Sequence, residues 1–355
     1  MVIIMIKIIK DILTDENFIG AILTSLSFIF IGFVLRRKNI INNNGKEFLT
    51  IIVLKIALPA MAFSAFMTEF NSEHFIDNFL VFIISLVFYI IFIIIGHLVL
   101  FKIDKSKRIV ISIFMAVGQL TFFSIPVLKT IYSDSYSKIM IPANMMTLSF
   151  RLILYIYCYF AISRLKFDKE KIKVTLKSIF FNPIMISMAI GLFIWITQQI
   201  MPKVNINNEY FSIFRIDKTL PGIYMIISTA EKLTTPLAMM IIGCILGEAH
   251  IKEAFMDKYS WLIAIARTIM IPIMTLLFLV LLQMLKIINF DEYTIMIMVI
   301  GFGAPLSAVV STYCSKFNNE MELSSRVCFL STLLSIFTFP ILFIIVRIVL
   351  LLPIF

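Results

Sequence analysis

Five ionisable side chains lie inside long apolar stretches of this sequence: Lys55, Arg151, Glu231, Lys232 and Arg267. A charge there costs roughly 2.5 to 3.5 kcal/mol to insert into a bilayer and marks function first. Arg151 carries the planar fork that matches a carboxylate and sits too deep in its stretch to snorkel. Its competing role is as a structural partner of a neighbouring span. Lys55 and Lys232 each precede a proline by four residues, in Lys55-Ile-Ala-Leu-Pro59 and Lys232-Leu-Thr-Thr-Pro236. That match leads us to expect both in a groove that takes an anion. The plainer alternative is that Lys55 snorkels to the interface while Lys232 pairs with Glu231 or with carbonyls. Glu231 is the carboxylate well inside a span and hence the coupling candidate, whether the coupling ion is a proton or sodium. Arg267, six residues from Trp261 at the start of its stretch, is expected to snorkel. Gln119, Thr121, Ser124, Asn144 and Ser307 are the uncharged groups that would orient a ligand or serve as interhelical glue. His97 reads as interfacial.

These residues are organised around two interrupted stretches, GQLTFFSIPVLKTIY at 118–132 and GFGAPLSAVVSTY at 301–313. Pro126 lacks a backbone donor and disfavours helix just before it, so a helix crossing hydrocarbon is expected to break there. Gly301, Gly303 and Pro305 weaken the second stretch in the same way. A pair of Gly/Pro-interrupted spans in corresponding positions is the best sequence pointer to a carrier's substrate site, so Gln119, Pro126, Pro305 and Ser307 join Lys55, Lys232 and Arg151 as candidate substrate-binding residues.

The chain has 355 residues, 61% of them hydrophobic and 15% charged, with mean hydropathy +1.02. It reads as an all-α polytopic membrane protein. Ten apolar spans fall near 18–35, 48–66, 79–101, 109–130, 139–163, 178–200, 220–246, 261–285, 293–315 and 327–352. Pro59 and Pro126 are 67 residues apart and Pro236 and Pro305 are 69 apart, which suggests two repeats. Five spans per repeat is an odd number, so the halves would be inverted, with the broken fourth and ninth helices aiming their electropositive N-terminal ends at one midplane point. We expect an interfacial amphipathic segment at 1–17, a first five-helix repeat at 18–165, a basic cytoplasmic linker at 166–177 and a second repeat at 178–355.

A net charge of +10 invites a nucleic-acid partner, yet the basic residues gather in short loops. Of 31 Lys and Arg, 18 fall on one side of the spans and nine on the other, termini included. The positive-inside rule then puts both termini outside the cytoplasm of a multi-pass cell-membrane protein. Cys158, Cys244, Cys314 and Cys328 lie within spans and imply neither disulfides nor a metal site. Phosphate-loop, GxSxG, HExxH and CxxC patterns are absent, so neither an enzyme nor a bound cofactor is expected.

Ile125-Pro126-Val127-Leu128-Lys129 with Tyr132 and Gln119 resembles the fourth-span motif of the auxin efflux carrier (PIN-like) family. Leu58-Pro59-Ala60, Pro236-Leu237-Ala238 with Gly243, Ala304-Pro305, Phe317, Ser331-Thr332-Leu333-Leu334-Ser335 and Pro340 extend the resemblance, which agrees best with bacterial members, over nearly the whole chain. It implies inverted five-helix repeats and a scaffold of spans one, two, six and seven. It also implies a fourth and a ninth helix crossing at the substrate, a homodimer, and export of a small organic anion such as auxin or malonate. The sequence departs from the pattern in three places: Gln119 replaces the usual Asn, Ser307 is the sole polar residue just after the ninth-span proline, and the long hydrophilic loop of the plant carriers is missing. A small bacterial carboxylate is therefore expected rather than auxin. The alternative from another class is a ligand-binding membrane sensor or scaffold without turnover.

Overall fold

The computed structural model describes residues 14–70, 72–164, 181–206, 208–248 and 251–351, with Lys10 and Lys177. Most of the expected N-terminal segment, and all of the basic linker except Lys177, lie outside the described residues.

Twelve principal helices follow in order: α1 Glu16–Arg37, α2 Asn43–Ser64, α3 Ser72–Val99, α4 Lys105–Ala116, α5 Leu120–Ile131, α6 Ser133–Ser163, α7 Pro183–Thr197, α8 Pro221–Glu248, α9 Lys258–Met284, α10 Glu292–Phe302, α11 Ala308–Lys316 and α12 Met321–Val349. Among the described residues, seven helices (α1, α2, α3, α6, α8, α9 and α12) are long and apolar enough to cross a membrane. The expected fourth, sixth and ninth spans fall instead on shorter apolar helices. The fold is all-α apart from a hairpin of β1 (Lys203–Ile206) and β2 (Glu209–Ser212) between α7 and α8. Asn208, just before β2, has a φ of 68°, a backbone conformation that asparagine tolerates.

Polar connections supply the helix starts. Asp15, Asp104, Asn182, Asp257 and Asp291 each accept a first-turn amide, which satisfies a donor that would otherwise enter the membrane unpaired. Between the ends, the prolines behave differently from expectation. Pro59, Pro126 and Pro272 do not break their helices. Each follows, by two residues, a wide π-helical turn: Val53–Ala57, Leu120–Ser124 and Ala266–Met270. A proline ring clashes with the carbonyl four residues back, and in all three cases that carbonyl (Lys55, Phe122 or Thr268) sits in the wide turn. The helix therefore continues.

Two packing units flank the interrupted helices. Along α1 and the second half of α8 the backbones touch. A Cβ on Gly32 would lie 2.1 Å from the Met240 carbonyl oxygen, and one on Gly243 would lie 2.0 Å from that of Ile29. Gly243 and Gly247 form the small-xxx-small spacing that permits such an approach. In the other unit, Phe302 at the end of α10 packs on Tyr89 and Phe92 of α3, with ring centroids 4.6 and 5.3 Å away. This anchors one interrupted helix to a continuous one.

Candidate functional site

The first interruption runs from Val117 to Gln119, seven residues ahead of Pro126, and the second from Gly303 to Ser307, with Pro305 inside it. The two stretches meet antiparallel, Gly118 opposite Leu306, with Val117 and Ser307 extended. The Gln119 amide donates to the Pro305 carbonyl at 2.6 Å and the Ser307 amide to the Val117 carbonyl at 3.3 Å. The Leu306 amide donates to Ser331 Oγ at 3.0 Å. Gln119 Oε1 accepts the Ala308 amide at 2.6 Å and so caps α11 in place of Ser307, whose own side chain makes no cap. Ser124 Oγ donates to the Ile300 carbonyl at 2.9 Å. A broken helix in hydrocarbon needs all of these bonds, because nothing else there can satisfy its backbone.

Arg267 completes the crossing. Expected to snorkel, it is instead fully buried. Its Nε donates to the Ala304 carbonyl at 2.8 Å and its Nη1 to those of Met115 and Ala116 at 2.8 and 2.6 Å. Met115 and Ala116 are at the carbonyl end of α4, which carries a partial negative charge, and Ala304 lies in the unwound stretch just past α10. Gly118 lets the guanidinium in: a Cβ there would stand 1.8 Å from Arg267 Nη2.

Beside the crossing lies a cleft lined by Gln119, Thr121, Arg151, Tyr155 and Ser307 among apolar neighbours. Three of the seven expected substrate-binding residues, Gln119, Arg151 and Ser307, thus come together beside the N-terminal end of α11. Arg151 is 3% exposed. Its Nη1 donates to Tyr155 Oη at 3.4 Å, and its buried Nε has no partner. The cleft offers about 20 Å³ of free space, room for one water and too little for a carboxylate substrate.

A family model described as membrane transport protein matches residues 17–343. The chain belongs to this family, that of the auxin efflux (PIN-like) carriers. No curated protein matches it. Its family is one of transporters rather than enzymes, which accords with the multi-pass fold and gives the crossing and its cleft a setting.

The remaining expected residues are placed elsewhere. Pro126 is buried inside α5, and Pro305 lends its carbonyl to the crossing. Lys55 and Lys232 are exposed and do not line the cleft. Glu231 is buried, but its partner is Lys129 of α5, Nζ to Oε1 2.7 Å, not the adjacent Lys232, which points another way as neighbours on a helix do. Beside this pair, Thr235 Oγ1 donates to the Pro126 carbonyl at 3.3 Å, so α5 and α8 are tied by an ion pair and a hydrogen bond. Asn144 donates to the Ala62 carbonyl at 3.2 Å and acts as interhelical glue. All four cysteines are free and buried.

Sequence reasoning missed Arg267 and Lys129. It quoted Lys129 within the fourth-span motif without giving it a role, although a charge in the apolar run from Leu120 to Ile131 needs a partner.

Proposed function

We propose that this family member is a secondary transporter that moves a small organic anion, of carboxylate type, across the cell membrane. The observation that carries the reading is Arg151: a buried guanidinium with one weak neutral partner and an orphaned Nε, facing a cleft shared with Gln119, Ser307 and a helix N-terminus. A buried cation left so poorly paired is costly, and a carboxylate binding bidentately supplies the missing acceptors. Because the cleft is too small for that ligand, the protein must rearrange to admit it, which supports movement of one bundle against another.

The proposed architecture is two inverted five-helix repeats of ten spans. Helix contacts supporting it come in matched pairs: α1 with α8 and α7 with α2, α3 with α6 and α9 with α12, α3 with α4 and α9 with α10. Both termini would lie outside the cytoplasm, and a homodimer is the assembly we favour. With the interior negative, the potential contributes about 2.3 kcal/mol per charge per 100 mV to anion exit, so export suits the substrate. In a proton-coupled variant Glu231 is the carboxylate, and its protonation would release Lys129 and thereby α5.

The test is purified protein in liposomes against radiolabelled malonate, other dicarboxylates and aromatic acids. Saturable flux that Arg151→Gln removes is expected; binding without flux would favour a sensor, and neither would defeat the proposal.

A further inference from the structure

We propose that the groove between α1, the end of α8 and the first half of α12 is a lipid site, which seats one acyl chain of an anionic phospholipid and holds its phosphate with the cations at the groove's mouth. The groove shares no lining residue with the cleft beside the crossing, and the inference does not depend on the transport reading.

The groove holds about 520 Å³ and every side chain lining it is apolar, a size and lining that suit a small apolar ligand. On α1 the lining is a stripe at helical spacing, Leu26, Ile29, Phe30 and Phe33. Facing it on α12 are Phe329, Leu333 and Ile336. Phe30 is exposed although it lies well inside a helix long and apolar enough to cross a membrane, so the groove opens sideways to hydrocarbon. Leu246 and Phe255 close one end, the Phe255 ring 6.0 Å from that of Phe329. Length then selects the occupant. From Leu26 to Arg37, the last residue of α1, is 11 residues, about 16 Å of helix, and from Arg326 to Ile336 on α12 is ten, about 15 Å. Half of a bilayer's hydrocarbon core is about 15 Å. The apolar stripe thus runs the depth of one leaflet, and charge begins on both helices at the level of the phosphates. In the orientation proposed above this is the cytoplasmic leaflet, where anionic lipid gathers. Some of the charge there is already matched: Arg36 meets Glu248 at 3.1 Å, and Arg326 meets Glu253, Asp257 and Glu322 at 3.1 to 3.7 Å. Arg37 stacks on Phe33, its Cζ 5.6 Å from the ring centroid. Arg37, Lys252 and Lys258 are exposed at the mouth, and three exposed cations favour an anionic headgroup over a zwitterionic one. A chain seated here touches α1 and α8, whose backbones pack as one unit, and α12, which packs on α9 and α10. It therefore cements the seam between them.

The experiment uses the indole beside the groove, Trp261, whose ring is 5.7 Å from that of Phe255. The chain has two tryptophans, so Trp195→Phe leaves Trp261 as the sole fluorophore of its kind. This protein, purified in detergent, is titrated with phosphatidylglycerol or phosphatidylcholine brominated on the acyl chains while quenching of Trp261 is followed. Quenching should saturate, with phosphatidylglycerol bound about tenfold more tightly or better. The double variant Lys252→Gln with Lys258→Gln should lose most of that preference. Leu26→Phe with Leu333→Phe, which fills the groove, should weaken both lipids by about tenfold. If Trp195→Phe does not fold, the difference in quenching between wild type and Trp261→Phe isolates the same ring. If the double groove variant does not fold, Ile336→Phe alone takes its place. Equal affinity for the two lipids, or quenching that rises without saturating, overturns the inference. So does unchanged lipid binding in a folded groove-filling variant.

Discussion

Arg151 and Arg267 are both arginines buried in the middle of the molecule, and they are used in opposite ways. Arg267 spends its Nε and Nη1 on three carbonyls of the protein's own backbone and keeps only its Nη2 without a partner. Arg151 has one hydroxyl at the edge of hydrogen-bond distance and an Nε with nothing. The comparison teaches that the crossing is nearly finished electrostatically around Arg267, whose Nη2 alone is left without a partner, and unfinished around Arg151. A fold that leaves one guanidinium unsatisfied gives up stability that a ligand can restore.

Disturbing the finished side should have the largest effect. Gly118→Ala drives a methyl into Arg267 and to 3.0 Å from the Ala304 carbonyl, and should cost roughly 3 kcal/mol or more as overpacking. A wild-type melting curve for this variant would mean the crossing is looser than described. Next comes Lys129, a half-buried cation held by both the carboxylate and the carbonyl of Glu231. Glu231→Gln strands its ammonium and should lose about 3 kcal/mol, part of which Lys129→Met in the same protein recovers. Additive losses in that double variant would show the pair to be uncoupled.

The unfinished side should respond in reverse. Arg151→Met should leave melting unchanged or raise it by about 1 kcal/mol, because a poorly paired charge has been removed. Anion flux or binding should nonetheless fall by about 2 to 3 kcal/mol, near 100-fold. Reduced stability with normal flux would reverse the roles assigned to the two arginines. Smallest of all, Lys55→Ala and Lys232→Ala, exposed and away from the cleft, should each change stability and flux by less than about 0.5 kcal/mol. A large loss of flux in either would return the lysines to the substrate path.

Much of this was legible in the chain because hydrocarbon permits so few solutions. Apolar run lengths gave the helices, Gly and Pro marked the two interruptions, and Arg151 stood out as a charge too deep to reach water. The position of the first break was not legible. Pro126 marks it, but the wide turn at Leu120–Ser124 absorbs the proline, and the chain opens instead at Val117–Gln119, where the Gln119 and Ser307 amides donate to the Pro305 and Val117 carbonyls across the crossing. Arg267 was misread for a related reason: distance from Trp261 measures how far a side chain must reach to water, and says nothing of carbonyls delivered by two other helices. The matched spacing of Lys55 and Lys232 to their prolines is a true regularity of the chain, but linear spacing does not fix which way a side chain faces.

The wide turns ahead of Pro59, Pro126 and Pro272 also change how each helix is addressed. Each accommodates one surplus residue, so everything beyond it is rotated by about a hundred degrees from where a regular wheel would plot it. Excising that residue would restore an even winding but drive the imino ring into the carbonyl behind it. The surplus residue and the proline are thus a matched set, to be inherited or lost together, and a face drawn through either one without the other will be drawn on the wrong side.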